Sequence, residues 1–421
     1  MDKLPRWATQ LMERHPGAEI PTREHPIPDW LGQEAARRPL WYTIREASEV
    51  RTEHPFLLHD EIHKQPRQWT DIVEHYAERV DRLADDLHAK GIDRIIFTGC
   101  GSAFFTDIHG AFVFERLAGL RTDAVESYEL VHYFPPADPA RTLVVGHSGT
   151  GGSIETVQAM QAADERGFAT LAITNTEDTP VTRASQQSLT YVTSQGTGPC
   201  TSVISTRVLL QTMLAVALGR RRGVDDDLLD PVAEALPEAA AAGRDFLEQQ
   251  EGTIRDLALR YADATSWMLV GSGPHYYSAR EGVLKIEEQA ILVAKAYRTG
   301  DFHHDALSVL APERPVVAIE AEGAANERVV DALRAAREAH APTIAVTWSG
   351  GSTARELAAH ADVSIPVGPA SELVSVVPMT VVFQLLGYHL GVARGFNPDT
   401  LRTDHEPNAR AWLTAFPLGT H

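Results

Sequence analysis

The stretch "REGVLKIEEQ" carries Glu281, Lys285 and Glu288 at successive spacings of four and three residues. On a helix these three share one face, and Glu287 points elsewhere. A solvated Glu–Lys face is the commoner meaning of that spacing. The other is a carboxylate held beside a lysine for proton transfer. Further along, "GDFHHDALSVL" sets His303 and His304 next to Asp305. Adjacent positions rarely converge on one ion, so neither a metal nor a cofactor is expected.

A second candidate is "GHSGTGGS" at 146–153. A nucleoside-triphosphate loop of the G-x-x-x-x-G-K-[ST] type needs a lysine where this chain has Gly152. The run follows an apolar strand pattern at 142–146 and precedes a helical one, "SIETVQAMQAADERG". Ser153 is placed to cap that helix and Gly167 to end it. Backbone N–H groups at a helix start favour an anion, with an equivalent of roughly half a positive charge. Ser148, Thr150 and Ser153 would add hydroxyl donors, and His147 one more.

These residues must be positioned by a repeated unit. The segment from Arg141 to Thr174 aligns without a gap with that from Arg314 to Thr347, and "RIIFTGCGSAFF" corresponds to "SWMLVGSGPHYY". Each reads as strand, loop, helix, strand. Strands alternating with helices imply parallel sheets covered on both faces, with ligands at the carboxyl ends of strands. The expected organisation is an N-terminal extension and entry helix over 1–66 and lobe one over 67–218. A helical connector at 219–251, lobe two at 252–394 and a polar tail at 395–421 follow. In lobe two the hydroxyl loop has become "IEAEGAAN": Glu320 stands for His147, Ala321 for Ser148 and Asn326 for Ser153. Glu320 and Glu322 would repel an anion. One phosphate site, in lobe one, is the economical reading.

Composition sets the outer bounds. The 421 residues suffice for two cores, and 43% are hydrophobic. No apolar run approaches the ~18 residues of a membrane span, and the first 21 residues show no signal-peptide pattern. A net charge of −19 argues against nucleic acid as partner. Cys100 and Cys200 lack metal spacing. A cytoplasmic protein is expected, with no membrane partner.

"TGCGSAFF", "GHSGTGGSIET", "TSVISTR" and "REGVLKIEE" together make the chain resemble the double SIS (sugar isomerase) family. The resemblance is to the isomerase half of glucosamine-6-phosphate synthase and to stand-alone amino-sugar phosphate deaminases and ketose/aldose isomerases. It spans most of 55–400, beginning with "DEIHKQPRQW" as the family's opening helix. It implies an α/β fold of two flavodoxin-like parallel-sheet lobes. Phosphate would be held by Ser102, His147, Ser148, Thr150 and Ser153, with Ser205, Glu281, Arg402 and His405 as further substrate contacts. Ser153 comes into register only with a two-residue insertion, and Ala103 and Gly146 replace common serines of the family.

By the same resemblance, Glu288 falls on the carboxylate that moves protons between C1 and C2 of the sugar. Lys285 would orient it. His304 falls on the histidine that opens the sugar ring, which reaches the site from a neighbouring subunit and implies a homodimer. Asp305 replaces a usual glycine. The tail 395–421 has no lysine, so a Schiff base of the synthase type is not expected; the resemblance does not extend to the synthase's glutaminase domain, so glutaminase activity is not expected either.

The implied substrate is a hexosamine 6-phosphate, with a free or acetylated amine. Proton removal at C2 of its open chain leads to isomerisation, deamination or loss of water. The alternative is a non-catalytic regulatory protein that binds sugar phosphates.

Overall fold

The computed structural model describes residues 51–193, 197–348, 353–368 and 371–416. Most of the expected N-terminal extension, 1–50, and the tail end, 417–421, lie outside the described residues. The chain opens with α1 (Leu57–Ala89). Lobe one follows as β1 (Arg94–Thr98), α2 (Ser102–Ala118), β2 (Arg121–Ala124), α3 (Ser127–His132), β3 (Thr142–Ser148), α4 (Ile154–Glu165), β4 (Ala169–Thr174), α5 (Pro180–Arg183) and β5 (Gln187–Thr190). Three helices join the lobes: α6 (Ser202–Arg222), α7 (Asp226–Ala235) and α8 (Glu238–Arg260). Lobe two is β6 (Trp267–Val270), α9 (His275–Ala290), β7 (Ala294–Tyr297), α10 (Thr299–Asp301), β8 (Val316–Ile319), α11 (Ala324–Glu338), β9 (Thr343–Trp348), α12 (Ala354–Ala359), β10 (Val363–Val367) and α13 (Glu372–Ala393). A last helix, α14, spans Glu406–Ala415.

Each lobe is a five-stranded sheet, and the orders are β2-β1-β3-β4-β5 and β10-β9-β8-β6-β7. All pairings are parallel. Read from the first strand of each lobe, the two orders are the same, as the sequence repeat requires. β3 is buried along its whole length, as a strand covered on both faces must be.

The largest apolar cluster is shared by both lobes and by the helices between them. Smaller clusters lie on the outer face of each sheet. At the centre, α6 and α13 have the length and hydropathy of membrane spans, and the apolar stretch of each is buried in the rest of the chain, while Arg220 near the end of α6 is exposed. Neither helix stands out in the sequence as an apolar run of that length. Interspersed Thr, Ser and Gln residues mask them in the sequence, and these side chains are themselves buried.

The expected boundary at 66/67 falls inside α1, which runs through Pro66 without a break. Proline cannot donate to the carbonyl four residues back. Gln65 Nε2 donates to that carbonyl instead, at 3.1 Å from Ile62 O. The first turn is held by Asp399 in the tail, whose carboxylate accepts from Leu57 N at 3.1 Å and Leu58 N at 2.8 Å. Burial pushes the Asp399 carboxyl up to about 6, against the pull of those two N–H groups.

Candidate functional site

The sheet order of lobe one reverses direction between β1 and β3, and a crevice opens at the carboxyl ends of strands flanking such a point. Ser102 starts the helix after β1, and Ser148 is the last residue of β3. The two loops therefore bring their hydroxyls to one edge of the sheet.

The hydroxyl loop turns at Gly151, which has φ of 72° and lies against Thr179. A Cβ there would come within 2.2 Å of Thr179 Oγ1, so only glycine fits. Thr150 Oγ1 accepts from Gly152 N at 3.1 Å and stiffens the turn. Ser153 occupies the cap position of α4 but makes no side-chain capping bond. Its Oγ lies 3.2 Å from Ser148 Oγ instead. Two hydroxyls thus converge at the start of α4, where helix N–H groups favour an anion.

Below this loop the structure corrects one expectation. His147 was expected among the phosphate donors. It is fully buried, stacked on Phe97 and hydrogen-bonded to Asp107 of α2. Gln211 Nε2 approaches its Nε2 at 3.1 Å. Burial pushes the Asp107 carboxyl well up and the His147 imidazole well down, and nearby Arg207 pulls both downward. The pair belongs to the core.

Arg207, which is not among the residues expected at the site, is a cation near the loop. It is buried, with Nε donating to Tyr191 Oη at 3.1 Å and Nη1 to Thr106 Oγ1 at 3.4 Å. Nη2 has no hydrogen-bond partner among the described residues. A Cβ on Gly149 would sit 3.7 Å from it. A single arginine inside the otherwise uncharged "VISTRVLLQ" of α6 was the available signal.

The charged face of α9 is as the spacing predicts. Lys285 Nζ lies 2.8 Å from Glu288 Oε2 and 3.3 Å from Glu281 Oε1. Lys285 and Glu281 are buried, and the Glu288 side chain keeps 21% exposure, so of the two carboxylates it is the one that reaches solvent. Burial alone would lower Lys285, but the two carboxylates outweigh it and hold the ammonium above its usual range. Burial raises Glu281, with Lys285 opposing. Glu287 points away, accepting from Ala294 N at 3.4 Å.

α9 is held against β6 and α13 at Gly282. A Cβ there would come within 2.5 Å of Leu269 and 2.8 Å of the Phe383 ring. The lobes meet at the site, because Ser102 Oγ donates to Glu281 Oε1 at 3.3 Å.

Four other expected residues lie elsewhere in the chain's hydrogen-bonding. Ser205 is buried, accepting from Trp69 Nε1 at 2.9 Å and donating to Gln65 Oε1 at 2.6 Å. It ties α6 to α1 and is not available as a substrate contact. His304 is exposed on the turn Phe302–Ala306, next to His303, which accepts from Arg328 Nη2 at 2.9 Å. Arg402 lies over the Phe396 ring, 4.6 Å from its centroid. His405 is exposed, with Nδ1 2.6 Å from Asn408 Oδ1. Among the described residues, no hydrogen bond or ion pair joins His304, Arg402 or His405 to Glu281, Lys285 or Glu288.

Lobe two answers the phosphate loop differently. Glu320 is buried, and its carboxylate accepts from Trp348 N at 3.0 Å and from Thr353 Oγ1 at 3.1 Å.

Comparison with known proteins follows the same lines. The chain is 28% identical over 351 residues to the glutamine–fructose-6-phosphate aminotransferase (isomerizing) of Thermococcus kodakarensis, covering 83% of this chain and 57% of that protein. It is 30% identical over 345 residues to the aminotransferase of the same name from Methanothermobacter thermautotrophicus, covering 80% and 55%. The chain thus spans a little over half the length of these relatives.

Among solved structures, the C-terminal domain of glucosamine-fructose-6-phosphate aminotransferase from Francisella tularensis superposes with a TM-score of 0.76 at 17% identity. It covers 84% of this chain and all of that one. Glucosamine-6-phosphate deaminase of Thermotoga maritima gives 0.66 at 21%, covering 81% and 96%. Tagatose-6-phosphate ketose/aldose isomerase of Escherichia coli gives 0.68 at 21%, covering 85% and 98%. The SIS domain model matches twice, at 90–218 and 260–389, and the chain belongs to the SIS domain family.

Proposed function

We propose that this protein is an isomerase-type enzyme acting on the open chain of a hexosamine 6-phosphate. The observation that carries this reading is the Ser102–Glu281 hydrogen bond. It sets the charged face of α9 beside the crevice that holds Ser148 and Ser153. The names of the relatives, which include fructose-6-phosphate aminotransferases, a glucosamine-6-phosphate deaminase and a tagatose-6-phosphate isomerase, support a phosphosugar substrate.

In this mechanism Ser102, Ser148 and Ser153, the start of α4 and the Arg207 guanidinium hold the phosphate. Thr150 shapes the turn. Glu288 takes the C2 proton, made acidic by the adjacent C1 carbonyl, and the electron pair moves onto the C1 oxygen, leaving an enolate with a C1–C2 double bond and the nitrogen on C2. The Lys285 ammonium beside it stabilises the developing negative charge. Returning the proton to C1, with protonation of O1 and loss of a proton from a free amine on C2, completes the isomerisation. With a free amine at C2 the product is a ketose imine, and water then releases ammonia. With an acetylated amine that route is closed, and loss of the C3 hydroxyl as water is the remaining exit. His304 opens the ring from a second copy of the chain in a homodimer. Arg402 and His405 close over the sugar once it is bound. The reaction is cytoplasmic.

The test is a mass-spectrometric screen of the protein with glucosamine 6-phosphate, N-acetylglucosamine 6-phosphate and fructose 6-phosphate. Ammonia, an isomer, or a product lighter by one water identifies the exit. Binding without turnover of any of them overturns the enzyme and leaves a sugar-phosphate sensor.

A further inference from the structure

Away from the crevice, three imidazoles converge on one carboxylate. His59 and His63 stand one turn apart on α1, with ring centroids 4.3 Å apart. Glu251 faces them from α8. His59 Nε2 lies 2.7 Å from Glu251 Oε1, and His63 Nε2 lies 3.0 Å from Oε2. On the far side, His389 Nε2 of α13 lies 3.0 Å from Oε1. The carboxylate is therefore fixed by a third helix before any ligand arrives.

We propose that His59, His63 and Glu251 form a binding site for one divalent transition-metal ion of the zinc type, at the seam between α1 and α8. One ligand atom from each lies within 4.8 Å of the other two. A tetrahedral ion with bonds of about 2.0–2.2 Å spaces its ligand atoms about 3.3 Å apart, so small side-chain shifts suffice. The i, i+4 pair on one helix face is the natural bidentate arrangement for imidazoles. Imidazole with carboxylate suits zinc and its neighbours better than calcium or magnesium, which prefer all-oxygen sites.

Binding takes the Nε2 lone pair of each neutral imidazole, with the ring proton carried on Nδ1, so the ion replaces the direct His59–Glu251 and His63–Glu251 hydrogen bonds. The side chains of His59, Glu251 and His63 are 18%, 22% and 36% exposed, so solvent can supply the fourth ligand. None of the three belongs to the proposed reaction. The ion would clip the first turns of α1 to the middle of α8, close to where Asp399 and Tyr388 already hold the start of α1.

The experiment uses the full chain, dialysed against chelator and then titrated calorimetrically with zinc chloride near pH 7.5. One equivalent is expected to bind, with a concentration-dependent rise in Tm. Cobalt(II) in place of zinc is expected to give the visible spectrum of a tetrahedral site. In His63→Ala and in Glu251→Gln the bound equivalent and the cobalt spectrum should be lost, while circular dichroism and sugar-phosphate turnover persist. Absence of binding by the parent protein overturns the proposal without need of a variant. Binding of equal affinity in both variants overturns it as well, because the ion then sits elsewhere.

Discussion

Ser102 Oγ, from lobe one, lies 3.3 Å from Glu281 Oε1, from lobe two, and Glu281 in turn pairs with buried Lys285. This chain of contacts makes the α9 face part of the lobe one crevice. It also makes Lys285 a buried cation whose removal would leave Glu281 without its countercharge. Breaking one member of a buried pair typically costs about 3–5 kcal/mol. Lys285→Met is therefore expected to lower stability by that order in urea denaturation, in addition to abolishing turnover. Parent-like stability would mean that Glu281 is already protonated in the native state.

Glu288 is expected to behave differently, because its side chain reaches solvent. Glu288→Gln should bind sugar phosphate nearly as the parent does and lose turnover by ~10²–10⁴, the usual contribution of a general base. It should also lose exchange of the C2 proton with deuterated water, which needs only the first step. Exchange at the parent rate would assign the base to another residue.

The helical spacing of Glu281, Lys285 and Glu288 was legible because period is a local property of a sequence. The sheets were legible for the same reason, since the repeat writes each strand twice. His147 was not. β3 is buried on both faces, so no alternation tells which side a residue takes, and its partner Asp107 lies on a different helix. Ser205 misled in the same way, because its partners Gln65 and Trp69 are on α1. The boundary at Pro66 failed because a side-chain donor from the preceding residue repairs the proline gap. Arg207 and the His59–His63–Glu251 group depend on contacts across helices, which no single segment records.

Phosphate binding is expected to rest on Ser148, Ser153 and Arg207. A hydrogen bond to a charged group is worth roughly 1.5–3 kcal/mol. Ser148→Ala and Ser153→Ala should each weaken sugar-phosphate affinity about tenfold or more by calorimetry. Arg207→Met should weaken it further and flatten its salt dependence, since a formal charge is lost. His147→Gln should leave affinity near that of the parent, because His147 is bonded to Asp107 in the core. Normal affinity in both serine variants would move the phosphate out of this loop.

Lobe two should hold no phosphate. Its Glu320 carboxylate already takes the N–H of Trp348 and the hydroxyl of Thr353. An internal anion thus occupies donors at this strand end. Crystals soaked in a sugar phosphate are expected to show ligand beside Ser148 and none beside Glu320. Ordered phosphate at Glu320 would contradict the one-site reading.

The buried histidines between the lobes predict a loss of stability in acid. Burial lowers His109 to about 4 and His275 to about 3, so both are neutral in the folded chain at pH 5. In the unfolded chain they take up protons below about 6.5. The unfolded state therefore binds more protons between these limits, and stability falls as pH drops through 6.5, levelling off near the folded values. For His109 alone the loss between pH 7 and pH 5 is on the order of 2 kcal/mol. Urea denaturation at the two pH values measures it. His109→Gln, which cannot take the proton, is expected to show a loss smaller by about that amount. An equal loss in parent and variant would show that His109 is protonated in the folded state or is reached by solvent there.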